Sequence, residues 1–200
     1  MKNTVIKILA VVAAIGFSTA QAQYRPGPYV GVGLGASFPA QSEVEADGID
    51  LSLGLRQDTG AAASIFGGVP INDKFAVELE SIGRAYSSDI PDFDLGVSMI
   101  MVNGVVNLSD MATLKTYVGA GIGLSRLLED GDRLEDYDGA FAFQFKVGAI
   151  KPIARRHGLG LEAVYRGSRP FRADAFQEEV TLNSVDVMFT YRYQSGGWSR

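Results

Sequence analysis

Charged side chains recur at alternate positions inside otherwise apolar runs, and they are the first residues in this chain with chemistry to offer. Glu78 and Glu80 stand two apart, Lys146 follows Phe141, Phe143 and Phe145, and Glu162, Arg166, Asp186 and Arg192 are set in similar surroundings; with Arg84 they make four acids and four bases. Paired carboxylates can serve general acid–base hydrolysis, and a mixed lining can conduct ions. A balanced set can also fill an enclosed space as a neutral plug, because buried charges persist only when paired and hydrogen-bonded. Carboxylates two apart in a filled interior leave no room for a substrate, which favours the plug. Nucleophilic catalysis needs a base within reach, usually histidine. The sole histidine, His157, sits instead in a basic stretch beside Arg155 and Arg156.

Two further groups lie in polar segments. Glu129, Asp130, Asp132, Arg133, Glu135, Asp136 and Asp138 form an acidic run. Hard cations take several carboxylate oxygens, but the run lacks the spaced acid-and-glycine order of a defined calcium loop, so a solvated loop is expected and no metal is assigned. Arg169 and Arg172 with Phe171 and Phe176 make a basic, aromatic patch. Arginine's planar fork suits phosphate, so these four residues are the expected surface-contact group, for lipopolysaccharide or for a host-surface or matrix ligand.

The elements that must position these residues are strands. In TYVGAGIGLS, 116–125, Tyr117, Gly119, Gly121, Gly123 and Ser125 alternate with Val118, Ala120, Ile122 and Leu124. Period-two alternation marks a pleated strand. A face of glycines cannot be the core of a soluble sandwich; glycine within a strand is kept where something approaches the backbone closely. The same pattern runs through Tyr29 to Phe38. Further strands are expected through Gly60 to Val69, from Phe75 to about Arg84, Leu95 to Leu108, Phe141 to Gly148, Leu159 to Arg166 and Asn183 to Tyr193. In the fourth, Met99, Met101, Asn103 and Asn107 share the inward parity. Residues 49 to 55 keep the parity of the second strand and read as its projection. Across the strands the charged residues share a face with glycines and whole opposite faces such as Phe141, Phe143 and Phe145 are uncharged, while Leu95 to Leu108 is largely apolar on both faces; this suits lipid outside and a filled polar interior.

Eight strands is an even number, as a bacterial outer-membrane barrel with both termini in the periplasm requires. The connections alternate: longer at 39–58, 87–94, 127–138 and 168–182, shorter at 71–74, 109–113 and 151–158, the pattern of long outer loops and short periplasmic turns. A lipocalin-like barrel would put its charges outside. The fold class is therefore all-β, an eight-stranded antiparallel up-and-down transmembrane barrel.

Composition agrees. Lys2 and Lys7, the apolar run to Phe17 and the small-x-small site at Ala20 and Ala22 read as a signal peptide, residues 1–22, cleaved after Ala22. Its removal takes the formal charge from −5 to −7 and leaves residues 23–200 as one domain, with strands within 29–193 and a short polar tail, 194–200. The absence of cysteine excludes disulfides and thiolate metal sites. The acidic balance argues against nucleic acid.

The stretches INDKFAVELE at 71–80, SMIMVNGVVNLSD at 98–110, KTYVGAGIGLSR at 115–126, GLEAVYR at 160–166 and VDVMFTYRY at 185–193 together resemble the opacity-type outer-membrane proteins, small barrels grouped with the outer-membrane protein A barrel and often labelled "porin family". The resemblance implies outer-membrane location in a Gram-negative cell, lipid and lipopolysaccharide as surroundings, and insertion by the barrel-assembly machinery. Family members commonly end on an aromatic residue, whereas this chain adds QSGGWSR after Tyr193; Tyr191 and Tyr193 would then serve as that signal above a dangling tail. The expected role is non-enzymatic, without cofactor: envelope-structural and surface-interactive. The alternatives are a narrow channel and, more weakly, a lipid A-modifying enzyme.

This reading predicts a protein that fractionates with membranes and migrates differently on gels before and after boiling. A soluble protein with a single mobility would sink it.

Overall fold

The computed structural model describes residues 27–40, 44–45, 59–87, 94–110, 114–129, 140–168, 171–173, 178–180 and 183–198. The signal segment with Ala20 and Ala22, residues 49 to 55, Asp130 to Asp138, and Arg169 and Phe176 lie outside the described residues.

Among the described residues eleven strands follow in chain order: β1 (Tyr29–Ala40), β2 (Val44–Glu45), β3 (Gly60–Pro70), β4 (Phe75–Ser87), β5 (Asp94–Asp110), β6 (Lys115–Glu129), β7 (Ala140–Ala154), β8 (His157–Ser168), β9 (Phe171–Ala173), β10 (Glu178–Val180) and β11 (Asn183–Gln194). Eight close a barrel in the order β1-β11-β8-β7-β6-β5-β4-β3, and β1 pairs with β3 to complete the ring. All neighbours are antiparallel. Closure leaves no unpaired edge, the condition for strands to sit in lipid. The barrel strands run 11 to 17 residues, long enough to cross a bilayer when tilted. No helix among the described residues is long and apolar enough to cross a membrane.

Alternation turns apolar side chains outward. Leu34, Ile65, Ile122, Phe145, Leu161 and Phe189 are all exposed. The lumen holds three layers. At the end carrying the short turns, Tyr29, Phe66, Ala76, Val105, Tyr117 and Ile150 pack together. Toward the opposite end Ile82, Tyr86, Val97, Met99, Met101 and Ala142 form a second apolar cluster. Buried charge lies between and around them. Glycines make the layers possible: a Cβ on Gly148 would collide with the ring of Tyr117, and one on Gly121 with the amide of Asn103.

The structure departs from the sequence reading at four places. The β7–β8 connection is not a loop over 151–158; β7 runs to Ala154 and β8 begins at His157, leaving Arg155 and Arg156 as the turn. Alternation fades there because Lys151, Arg155 and Arg156 interrupt the apolar outward row, yet the ladder continues. Asn107 does not face the lumen. It is exposed beside a register shift between Asn107 and Ser109, and its Nδ2 donates to the Asp73 carbonyl at 3.2 Å. The β3–β4 turn it reaches is held by Asn72, whose Oδ1 accepts from the amides of Lys74 and Phe75, each at 2.9 Å. Two long connections carry strands of their own: β2 and β9 flank β10 in a small sheet that joins the first and fourth connections.

The fourth departure is the tail. It folds back beneath the barrel instead of dangling. Ser195 donates its amide to the Pro28 carbonyl at 2.9 Å and Trp198 donates its own to the Arg155 carbonyl at 3.0 Å. The Trp198 indole packs on the aromatic layer and lies under Lys115, whose Nζ is 5.9 Å from the ring centroid. Gly158 is small because Trp198 is there, Cζ2 lying 2.6 Å from where its Cβ would be.

Trp198 is the sole tryptophan of the chain, so intrinsic fluorescence reports the tail directly. Emission should be blue-shifted and poorly quenched by iodide. Gly158→Val should expel the ring and red-shift it, and Trp198→Ala should cost about 1–3 kcal/mol of unfolding stability, less than full burial would. A fully quenchable tryptophan in the wild-type protein would show the tail to be free.

Candidate functional site

Inward parity on four strands brings the eight charged residues into one lumen. Glu78, Glu80 and Arg84 come from β4, Lys146 from β7, Glu162 and Arg166 from β8, and Asp186 and Arg192 from β11; all are buried. Register sets their heights: Glu78 lies opposite Asn103, Asn103 opposite Gly121, Gly121 opposite Gln144, and Gln144 opposite Arg166.

Lys146 is the hub. Its Nζ donates to Glu78 Oε1 and to Glu80 Oε2, the latter at 3.2 Å, and lies 3.7 Å from Glu162 Oε2. A second centre is Arg166. It donates to Asp186 through Nη1, to Glu80 Oε1 through Nη2 at 3.2 Å, and to Gln144 Oε1 through Nε at 2.9 Å. Gln144 returns its amide to Glu80 Oε2 at 2.8 Å and to Asn103 Oδ1 at 2.6 Å. Asn103 in turn donates to Glu78 and Glu80 at 3.2 and 3.1 Å. Two tyrosines close the lower side: Tyr29 donates to Glu78 Oε2 at 3.0 Å, and Tyr117 to Glu162 Oε2 at 2.6 Å.

Arg84 and Arg192 are held differently. Arg84 donates to Ser184 Oγ at 2.5 Å and Tyr86 OH at 3.2 Å, and Ser37 links Tyr86 OH to Asp186 Oδ1, so the guanidinium reaches its nearest carboxylate through hydroxyls. Arg192 lies 3.8 Å from Glu78 Oε2 and stacks over Tyr29, with its Cζ 4.1 Å from the ring centroid. Cation–π contact of this kind gains strength away from water.

Every carboxylate oxygen of Glu78 and Glu80 is engaged by a donor of the protein itself. His157 stands at the rim, its Nδ1 2.6 Å from Tyr191 OH. Among the described residues no group of three or more histidine and acidic side chains could hold a metal ion. Of the surface-contact residues, Phe171 and Arg172 fall in β9. Ser37, Tyr86, Gln144 and Ser184 were missed as members of the charge layer; their inward parity was the available signal, but hydroxyls and amides look alike on either face of a strand.

The model for the outer membrane protein beta-barrel domain matches residues 8–193. A comparison with curated proteins returns no match. Among solved structures, Neisserial surface protein A (NspA) superposes with a TM-score of 0.61 at 15% identity, over 83% of this chain and 96% of that one. OprG of Pseudomonas aeruginosa gives 0.58 at 13%, over 85% and 96%. AlkL, solved by solid-state NMR in lipid bilayers, gives 0.51 at 12%, over 89% and 94%. At such identities the likeness is one of fold.

Removing one partner of a buried pair costs about 3–5 kcal/mol, because the other charge is left uncompensated. Lys146→Met strands three carboxylates and should lose about that much in urea unfolding from lipid vesicles. Adding Glu78→Gln and Glu162→Gln should recover part of it. A Lys146→Met barrel of unchanged stability would remove the network from any account of what holds the lumen.

Proposed function

We propose a non-catalytic, envelope-structural and surface-contact role for this chain, which belongs to the outer membrane protein beta-barrel domain family. One observation carries the reading. The charged side chains of the lumen bond mainly to one another and to neighbouring polar groups, four acids against four bases between two apolar layers, and an eight-stranded barrel has an interior that side chains just fill. With the acids and bases of that layer engaged with one another and with neighbouring polar side chains, function moves to the surfaces: an apolar belt in the lipid and the connections at the end away from the short turns.

Those connections, 41–59, 88–93, 130–139 and 169–182, carry fifteen acidic residues against four basic ones. Contact with lipopolysaccharide phosphates therefore rests on Arg169 and Arg172, flanked by Phe171 and Phe176, or on divalent cations bridging to the acids. The same four residues are the proposed face toward a host or matrix surface. Residues 1–22 are the export signal, cut after Ala22, and the strand ending in Tyr191 and Tyr193 is what the barrel-assembly machinery reads.

Purified protein in planar bilayers should give no reproducible conductance steps. Steps that vanish on Lys146→Met or Glu162→Gln would replace the plug with a channel. Intact cells should lose attachment to matrix or host cells when 169–177 is replaced by a neutral linker; unchanged attachment would discard the contact role. Lipid A mass spectra from expressing and deleted strains should coincide, and a shifted acyl pattern would reinstate an enzyme.

A further inference from the structure

In the lumen the cations face internal carboxylates, Arg84 through hydroxyls; on the outer wall at the short-turn end Lys151, Arg155 and Arg156 have no carboxylate partner among the described residues. Lys151 lies on the outward face of β7, two residues before exposed Ile153 and in register with exposed Leu159, and Arg155 and Arg156 form the turn that follows. All three are exposed, and among the described residues none has a carboxylate partner. The outward positions of β6, β7, β8, β11 and β1 hold no acid along their barrel-spanning length. The other acids near this end, Asp73 and Asp110, stand on different turns, and Asp110 is in register with Lys115.

This corner is also built. Gln194 donates its amide to the Arg156 carbonyl at 2.8 Å, and Trp198 holds the Arg155 carbonyl at 3.0 Å, so the turn is pinned from below by the folded tail. Arg156 Nη1 donates to Tyr193 OH at 3.3 Å. The His157 ring packs between Tyr191 and Tyr193, with centroid separations of 5.9 and 5.4 Å. Tyrosines at the edge of an apolar belt mark the headgroup level of a bilayer. Cations at that level meet phosphate, and arginine binds it through a planar fork.

We propose that Lys151, Arg155 and Arg156, framed by His157, Tyr191 and Tyr193, form a headgroup site for an anionic phospholipid of the periplasm-facing leaflet. The phosphate takes the arginine forks, the glycerol lies against the tyrosine hydroxyls, and the acyl chains run along Ile153, Leu159 and Phe189. The site is distinct from the outer connections and takes a different lipid.

The full-length protein in mixed micelles of phosphatidylglycerol and phosphatidylcholine, analysed by native mass spectrometry, tests it. Phosphatidylglycerol should be retained over phosphatidylcholine at least about fivefold, the gain expected from one fully engaged cation. Arg155→Gln with Arg156→Gln should bring the ratio close to one, and Lys151→Gln alone should lower it. Lys74→Gln, at the same end on another turn, should leave it unchanged. Equal retention of both lipids by the wild type would overturn the proposal, as would a Lys74→Gln loss as large as that of the arginine pair. So would full displacement by millimolar inorganic phosphate, which would make the site one for a free anion. Unboiled gel mobility confirms that each variant is folded.

Discussion

Lys146 is surrounded by three carboxylates on two strands, and the interior of the barrel is arranged so that this is tolerable. A charge taken from water costs several kcal/mol unless its partners are placed well. Here Glu78 and Glu80, two apart on β4, both point inward because a pleat repeats every two residues, and β7 delivers Lys146 to them across the lumen. The ammonium alone would leave an excess of negative charge. Arg166 and Arg192 correct it from β8 and β11, and Gln144, Asn103, Tyr29 and Tyr117 take up the remaining lone pairs. Polar networks of this kind are stable when every member is satisfied and costly when one is missing.

The glycine-rich faces follow from the same requirement. A closed ring of eight strands fixes the diameter, so long side chains on some strands demand short ones opposite. Lys146 lies across Gly119, with its Cγ 2.9 Å from where a Cβ would stand, and the Tyr117 ring occupies the place a side chain at 148 would take. Strands rich in glycine are weak by propensity, and they are held by ladders on both sides and by the large residues packed onto them. The tail extends this logic to the mouth: Trp198 covers the aromatic layer that Gly158 leaves accessible.

Period-two alternation made the barrel legible from sequence, because lipid outside and a filled lumen explain why β1, β6, β7 and β8 set glycine or charge on one face and apolar side chains on the other, even though β5 is largely apolar on both. The eight lumen charges could be named for the same reason. What alternation does not encode is where a ladder stops. Lys151 to Ala154 continues β7 past the charge of Lys151 and the break of Pro152 at the bilayer edge, and Asn107 leaves the inward row at a register shift that no composition announces. Trp198 was illegible on different grounds: a single aromatic after two glycines carries no periodicity, and its place is set by hydrogen bonds to Pro28 and Arg155 that are remote in sequence. The sheet of β2, β9 and β10 joins segments more than a hundred residues apart, a distance over which short polar stretches give no pairing signal.

With the lumen balanced, the charges that remain are segregated along the axis. The outer connections hold fifteen acids and four bases, while the short-turn end sets Lys74, Lys115, Lys151, Arg155 and Arg156 against Asp73 and Asp110. The two ends therefore meet their surroundings by opposite electrostatics. An acidic outer surface repels polyanions at distances up to the Debye length, about 8 Å at physiological ionic strength, so close approach to a phosphate-rich surface needs local arginines or divalent cations whose oxygen preference suits carboxylates. The basic end needs no such bridge. Lys151, Arg155 and Arg156 lie at the boundary of the apolar belt by Tyr191 and Tyr193, where an anionic headgroup would supply a counter-charge that no described acid does.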